Sequence, residues 1–183
     1  MGWKENLSKI IINSGYQLSE ISAWTNIEVP ILSNMKNLKY PNFTCKQFLL
    51  LKLLLKKEHQ AFLNEIFGKG YFDKIKKVFY EPKFTKLGQI LKDRHQFEVL
   101  PKKEVVENSQ LKSSRIDYLI ADEDENIKIE EITKLELTFG EDLGYLCNLR
   151  FPDLRINNEE EYFLRLEQIR EYNREANYRR KSK

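Results

Sequence analysis

An α+β fold is what this sequence predicts, with an N-terminal helical bundle followed by a small antiparallel sheet and a long terminal helix. Three observations lead there. Apolar residues recur at helical spacing through about the first 80 positions. They alternate in the manner of strands from about residue 97. From Glu159 to Arg180, acids and arginines interleave around a sparse apolar stripe. With 183 residues, 41% hydrophobic and 32% charged, the chain can bury a core, and whole-chain disorder is not expected.

The helical elements read off in order. Leu7, Ile10, Ile11 and Ile12 form a face that Ser14-Gly15 stops. Leu18, Ile21 and Trp24 repeat at three-residue intervals, and Ile31, Leu32 and Met35 continue the pattern. Phe48 to Leu55 is apolar nearly all round, as befits the buried helix of the bundle. Glu58 to Phe67 makes another helix, ended by Gly68, and Tyr71 to Phe79 continues before Pro82 closes the segment. Residues 81–96 form the connection, with Phe84 to Leu91 as a short helix. Beyond it, Phe97 to Val106 (broken by Pro101), Arg115 to Ala121, Ile127 to Leu137 and Leu143 to Phe151 read as strands. Asp122 to Asn126 supplies a polar hairpin turn. The domains expected are therefore residues 1–80, a connecting segment 81–96, and an α+β part 97–183.

Charge divides along the same line. Residues 1–80 hold twelve lysines, no arginine and six acids, a net of +6. Residues 81–183 hold 19 basic and 22 acidic residues, a net of −3. A basic module favours polyanions through phosphate neutralisation and counterion release, although a solvated lysine surface gives the same arithmetic. No apolar run approaches the ~20 residues needed to cross a bilayer, so no membrane is expected. The opening MGWKENLSKIIINSG lacks a long apolar core, which argues against a secretory signal and for a cytoplasmic protein. Two cysteines, Cys45 and Cys147, cannot build a disulfide framework. With only His59 and His95 beside them they make a poor metal set, so no metal and no cofactor is expected.

The stretch from Ser14 to Leu55 resembles the helix-turn-helix of the Cro/C1 (XRE-type) repressor family, over about a quarter of the chain. Gly15 ends a first helix, and Ile21-Ser22 takes the place of the family's Leu-Ala pair. Asn26 stands where a left-handed turn residue, usually Gly, is wanted. Ile27 matches the apolar residue that packs the turn, and Glu28 sits at the N-cap of the third helix. Leu32 and Met35 match that helix's buried face, and Pro41 follows in the loop. Three positions depart from the family: Leu18 replaces the usual glutamine, Lys36 an acid, and Leu38 the glycine after the third helix. By helix phase Val29, Pro30, Ser33 and Asn37 point outward, with Asn34 and Lys36 at the flanks. The resemblance implies that Glu28, Val29, Pro30 and Asn34 face base edges of double-stranded DNA, with Asn37, Lys39 and Tyr40 along the phosphates. Asn34 would pair with adenine, Glu28 would accept from a cytosine amino group, and Lys36, Lys39 and Lys46 would carry the salt-dependent part of binding. It implies a homodimer on paired half-sites.

The second half carries weaker signals. Asp117, then Glu130 or Glu131, with Lys134 beyond, resemble the metal-binding arrangement of PD-(D/E)XK nucleases. A strand, however, puts i and i+2 on one face, and Glu130 is followed two later by Ile132 and Glu131 by Thr133. A wet hairpin face explains these residues better. Asp122 to Asn126 begins like a calcium loop, but Ile127 and Thr133 occupy the places of its Gly and Glu. No nucleophile constellation is readable, so no enzyme is expected. The leading expectation is a DNA-binding transcriptional regulator of prokaryotic or phage type, with residues 97–183 dimerising or binding a protein partner. The first alternative is a phage or mobile-element inhibitor of a host defence nuclease. It would resemble the anti-CRISPR proteins that join an autoregulatory helix-turn-helix to a blocking domain. The second is a metal-dependent nuclease centred on Asp117 and Glu130.

Overall fold

The computed structural model describes residues 2–76, 102–120 and 127–181. Among them every regular element is a helix and there is no strand. The helices are α1 (Trp3–Asn13), α2 (Leu18–Thr25), α3 (Val29–Lys36), α4 (Cys45–Leu54), α5 (His59–Phe67), α6 (Lys102–Ser109), α7 (Ser113–Ile120), α8 (Ile129–Phe139), α9 (Tyr145–Arg150) and α10 (Glu159–Lys181). They fall into two compact units, Met1–Tyr71 with Phe151–Lys183, and Phe72–Arg150.

In the first unit α1 packs on α3 and α5, and α2 on α3, α4 and α10. Local chemistry sets the boundaries. Gly15, at φ +79°, follows α1 in the left-handed region that an L side chain resists. Thr44 and Gln47 close a reciprocal capping box on α4: the Thr44 hydroxyl accepts from the Gln47 N–H at 3.3 Å, and the Gln47 amide oxygen accepts from the Thr44 N–H at 3.1 Å. The Glu58 carboxylate accepts from the Ala61 N–H at 3.0 Å to start α5. The core gathers Leu7, Ile21, Leu32, Met35, Phe48, Leu51, Phe62 and Ile66, all but removed from water. Helix α4 is the buried one, with Cys45, Phe48, Leu49, Leu50, Leu51 and Leu54 inside. Past α5 the expected helix from Tyr71 gives way to turns over 69–74, and positions 77–79 lie outside the described residues.

Among the described residues the expected antiparallel sheet is absent. Helix α8 occupies the stretch read as the strand Ile127 to Leu137. Its apolar residues stand at 127, 129, 132, 135 and 137, a mixture of two- and three-residue steps. The inward face is Ile129, Ile132, Thr133 and Glu136, at full helical spacing, but two of those four are polar and hid the period. Glu131 accepts the Lys128 N–H at 3.2 Å to start the helix, and Gly140 at φ +73° ends it. In α7, the run read as a strand from Arg115, Ile116 and Leu119 point one turn apart into a cluster with Val105, Val106, Leu111, Leu135 and Phe139. The Arg115 guanidinium forks onto Glu131 at 2.8 and 2.7 Å, joining α7 to α8. Lys102 to Val106, the described part of another expected strand, is helical in α6. The alternation of Leu143 to Phe151 is misleading because Tyr145 and Leu149 on α9 are exposed. The segments 81–96, 97–101 and 122–126, with His95, the short helix at 84–91 and the hairpin turn expected in them, lie outside the described residues. The terminal helix packs along α2.

What holds α9 is a buried acid. The Glu136 carboxylate, wholly removed from water, accepts from the N–H groups of Gly144 at 3.0 Å, Leu146 at 2.9 Å and Cys147 at 3.3 Å. These are amides that a six-residue helix leaves without internal partners. Burial raises the pKa of Glu136 above the usual carboxylate value, with the three N–H groups pulling the other way.

His59 is the buried titratable group of the first unit. Its ring meets Phe48 edge-on at 5.0 Å, and neither ring nitrogen has a protein partner. Burial, and after it the charge of Lys52, lowers its pKa to about 4. The native state thus holds a neutral ring where the unfolded chain takes a proton below pH ~6.5. The stability this confers is complete above that value. It falls as pH drops toward 4, by on the order of 2–3 kcal/mol. Trp3 and Trp24 both lie in the first unit, so urea unfolding followed by tryptophan fluorescence reads it directly. His59→Phe is expected to flatten the pH 4–6.5 dependence relative to wild type; an unchanged slope would disprove this account.

Candidate nucleic-acid interface

Helix α3 is eight residues long, so its position depends on what surrounds it. It leaves α2 through Asn26, which stands at φ +57° and donates its N–H to the Ser22 carbonyl at 2.8 Å. Asparagine tolerates this left-handed conformation better than most side chains. Glu28 is the N-cap residue, and Pro30 occupies the first turn, where a missing N–H costs nothing. Leu32 and Met35, at 0% and 1% exposure, fix the rotation of α3 about its axis. The Ser8 hydroxyl donates to the Lys36 carbonyl at 2.5 Å, tying the C-terminal end of α3 to α1.

That rotation decides where the nine residues expected to meet DNA lie. Glu28, Pro30, Asn34, Lys36, Asn37 and Lys39 are exposed, while Val29, Ser33 and Tyr40 are half-buried. The Asn37 side-chain amide leans back on the Ser33 hydroxyl at 3.4 Å. The Tyr40 hydroxyl accepts from the Gln47 amide at 2.7 Å, which holds its ring against the start of α4. Lys36 sits in the last turn of α3 and Lys39 just past it, at the negative end of the helix dipole. Leu38 takes φ +62°, and the Lys39 N–H bonds back to the Asn34 carbonyl at 2.9 Å, a left-handed helix ending built on a residue with a Cβ.

The acids considered for a nuclease centre do not gather. Asp117 on α7 pairs with Lys102, Glu130 pairs with Lys134 at 2.7 Å, and Glu131 pairs with Arg115. Among the described residues no three His, Cys, Asp or Glu side chains could hold a metal ion together. No helix among them is long and apolar enough to cross a membrane. No protein-family model, curated protein or solved structure matches the chain.

One residue important to this face is not apparent from the sequence. Asn157, just before α10, donates its backbone N–H to the Trp24 carbonyl and its side-chain amide to the Ala23 carbonyl, both at 2.7 Å. Its amide also faces that of Asn26 reciprocally, at 2.8 and 3.2 Å. The loose end of α2 and the turn into α3 are therefore held by a single residue far along the sequence. Next to this clasp Tyr162 stacks on Trp24 at 4.2 Å. The start of α10 is itself fixed by a reciprocal cap between Asn158 and Glu161, both bonds at 2.9 Å. Glu161 also receives the forked Arg155 guanidinium at 2.6 Å. That pairing, helped by the Asn158 N–H, holds its carboxyl down at about 2.

Asn157→Ala leaves the Ala23 carbonyl and the Asn26 amide without this partner. It is expected to cost about 1–2 kcal/mol in urea unfolding, and to couple to Asn26→Gly by more than ~0.5 kcal/mol in a double-mutant cycle. Additive effects would count against the clasp. Leu38→Gly removes left-handed strain at an exposed site, and a gain of roughly 0.5–1 kcal/mol in thermal unfolding is expected. A lower midpoint would show that the Leu38 side chain contributes packing that outweighs the strain.

Proposed function

We propose that the first unit binds double-stranded DNA through α3 and that the protein is a DNA-binding regulator. The observation that carries this is the phase of α3. Leu32 and Met35 are buried, and the opposite side presents Pro30, Asn34, Lys36, Asn37 and Lys39 to solvent. A helix anchored from behind with a polar face outward is the shape that enters a major groove. Charge supports it: Met1–Tyr71 with Phe151–Lys183 carry 17 lysines and arginines against 12 aspartates and glutamates. In this reading Asn34 pairs with adenine, while Val29 and Pro30 meet a thymine methyl. Glu28 accepts from a cytosine amino group, and Ser33 lies beside them. Lys36 and Lys39 neutralise phosphates, with Asn37 and Tyr40 alongside and Lys46, also exposed, nearby in sequence. The resemblance to Cro/C1 repressors adds a homodimer on paired half-sites.

The test is selection of the full-length protein against a random duplex pool, followed by titration of the enriched site over a range of salt. Lys36→Ala and Lys39→Ala should weaken binding to every duplex and each reduce the salt slope by roughly 0.9. Asn34→Ala should cost about 1–3 kcal/mol on the enriched site and broaden preference at one base pair. If no duplex is enriched, or all three variants bind as the parent does, the assignment is wrong.

A further inference from the structure

Helix α10 has two halves with different surroundings. Its first turns are bolted to α2, with Leu166 buried and Tyr162, Arg165 and Ile169 half-buried. The surroundings of the helix change at Arg170. Among the described side chains beyond that point only Ala176 is half-buried and the others are exposed, Tyr172 at 73% and Tyr178 at 76%. Some 18 Å of helix therefore runs on from Arg170 with its described side chains almost all exposed. A free helix of that length is marginal in water, and this one is kept by growing from an anchored base.

The composition changes at the same place. From Arg170 to the last residue, Lys183, the sequence has six lysines and arginines against two glutamates, Glu171 and Glu175. Arg179 is tied to Glu175 at 3.4 Å. Arg170 and Arg174, four apart and so on one face, form no ion pair among the described residues. Two like charges stacked on a helix oppose its formation. Tyr178 stands one turn beyond Arg174 on the same side. Guanidinium groups match phosphate oxygens two bonds at a time.

We propose that the far half of α10 is a second contact for nucleic-acid phosphates, with Arg170 and Arg174 as its principal cations. It is delivered by the same unit that carries α3. The proposal rests on the duplex-binding reading and adds a surface that the resemblance to Cro/C1 repressors does not include, since that resemblance ends at Leu55.

The experiment compares full-length wild type with Arg170→Gln/Arg174→Gln on the enriched duplex, by fluorescence anisotropy over a salt series, with polyglutamate as a second probe. Glutamine keeps helix propensity, and an unchanged circular dichroism spectrum verifies the fold. The expected result is a reduction of the salt slope by about 1.8, at roughly 0.9 per phosphate, with affinity near 0.15 M salt lowered several-fold. An unchanged slope on a duplex that wild type binds would overturn the α10 contact, while the reading of α3 still stands if Lys36→Ala weakens the same complex. Loss of polyglutamate binding with duplex binding intact would assign this face to an acidic polypeptide, and would also overturn it. Failure of wild type to bind any duplex would remove both proposals together.

Discussion

A helix of eight residues cannot satisfy its own C-terminal carbonyls, and the first unit is organised around how α2 solves this. Glu20 reaches back to the Gln17 N–H at 2.6 Å to close one end. At the other, Asn157 gives donors to Ala23 and Trp24 and joins its amide to that of Asn26. Since α3 departs from Asn26, its direction is tied to a residue 131 positions downstream. Tyr162 lies over Trp24 beside these bonds, and limiting water near a hydrogen-bonded network strengthens it. The C-terminal segment is for this reason part of the bundle, and a fold description that stopped at α5 would omit the group that sets α3.

The second unit meets the same demand with the opposite chemistry. Helix α9 has six residues, and its unpaired groups at the start are N–H donors, so an acceptor is needed. Glu136 supplies it from α8. A carboxylate also suits the positive end of a helix dipole, as a neutral amide suits the carbonyl end of α2. The cost differs. Asn157 brings no charge into the protein, whereas Glu136 is fully buried and its ionised form is disfavoured by that burial. Both units thus use a side chain from outside the helix to hold a short helix in place.

This division explains what could be read from the residues. Where the determinants are local, the reading is close: Gly15 ends α1, Asn26 adopts the left-handed turn, and the apolar run through Phe48 is the buried α4. The buried side of α3 was legible at Leu32 and Met35, while Val29 and Ser33, expected to face outward, are half-buried. Where determinants are non-local, the reading fails. Thr133 and Glu136 are buried polar residues, and a pattern built from apolar positions cannot see that they belong to the inward face of α8. Asn157 and Asn158 are identical neighbours in the sequence. One is a local helix cap and the other a long-range clasp, and no spacing rule separates them.

The charges along α3 also limit how a duplex could lie on it. Phosphates usually favour the positive N-terminal end of a helix, but here Glu28 stands at that end as the N-cap, with Val29 and Pro30 beside it. A carboxylate there repels a phosphate and accepts from a base amino group. The opposite end holds Lys36 and Lys39, exposed, where the dipole is negative and stabilises cations. Backbone contacts are then pushed toward the C-terminal end of α3 and base contacts toward its start. A protein that gains few phosphate contacts at the helix start needs others elsewhere to hold its register on a duplex. The exposed arginines that α10 carries beyond its last buried residue, Leu166, are cations of the same unit that could meet that need.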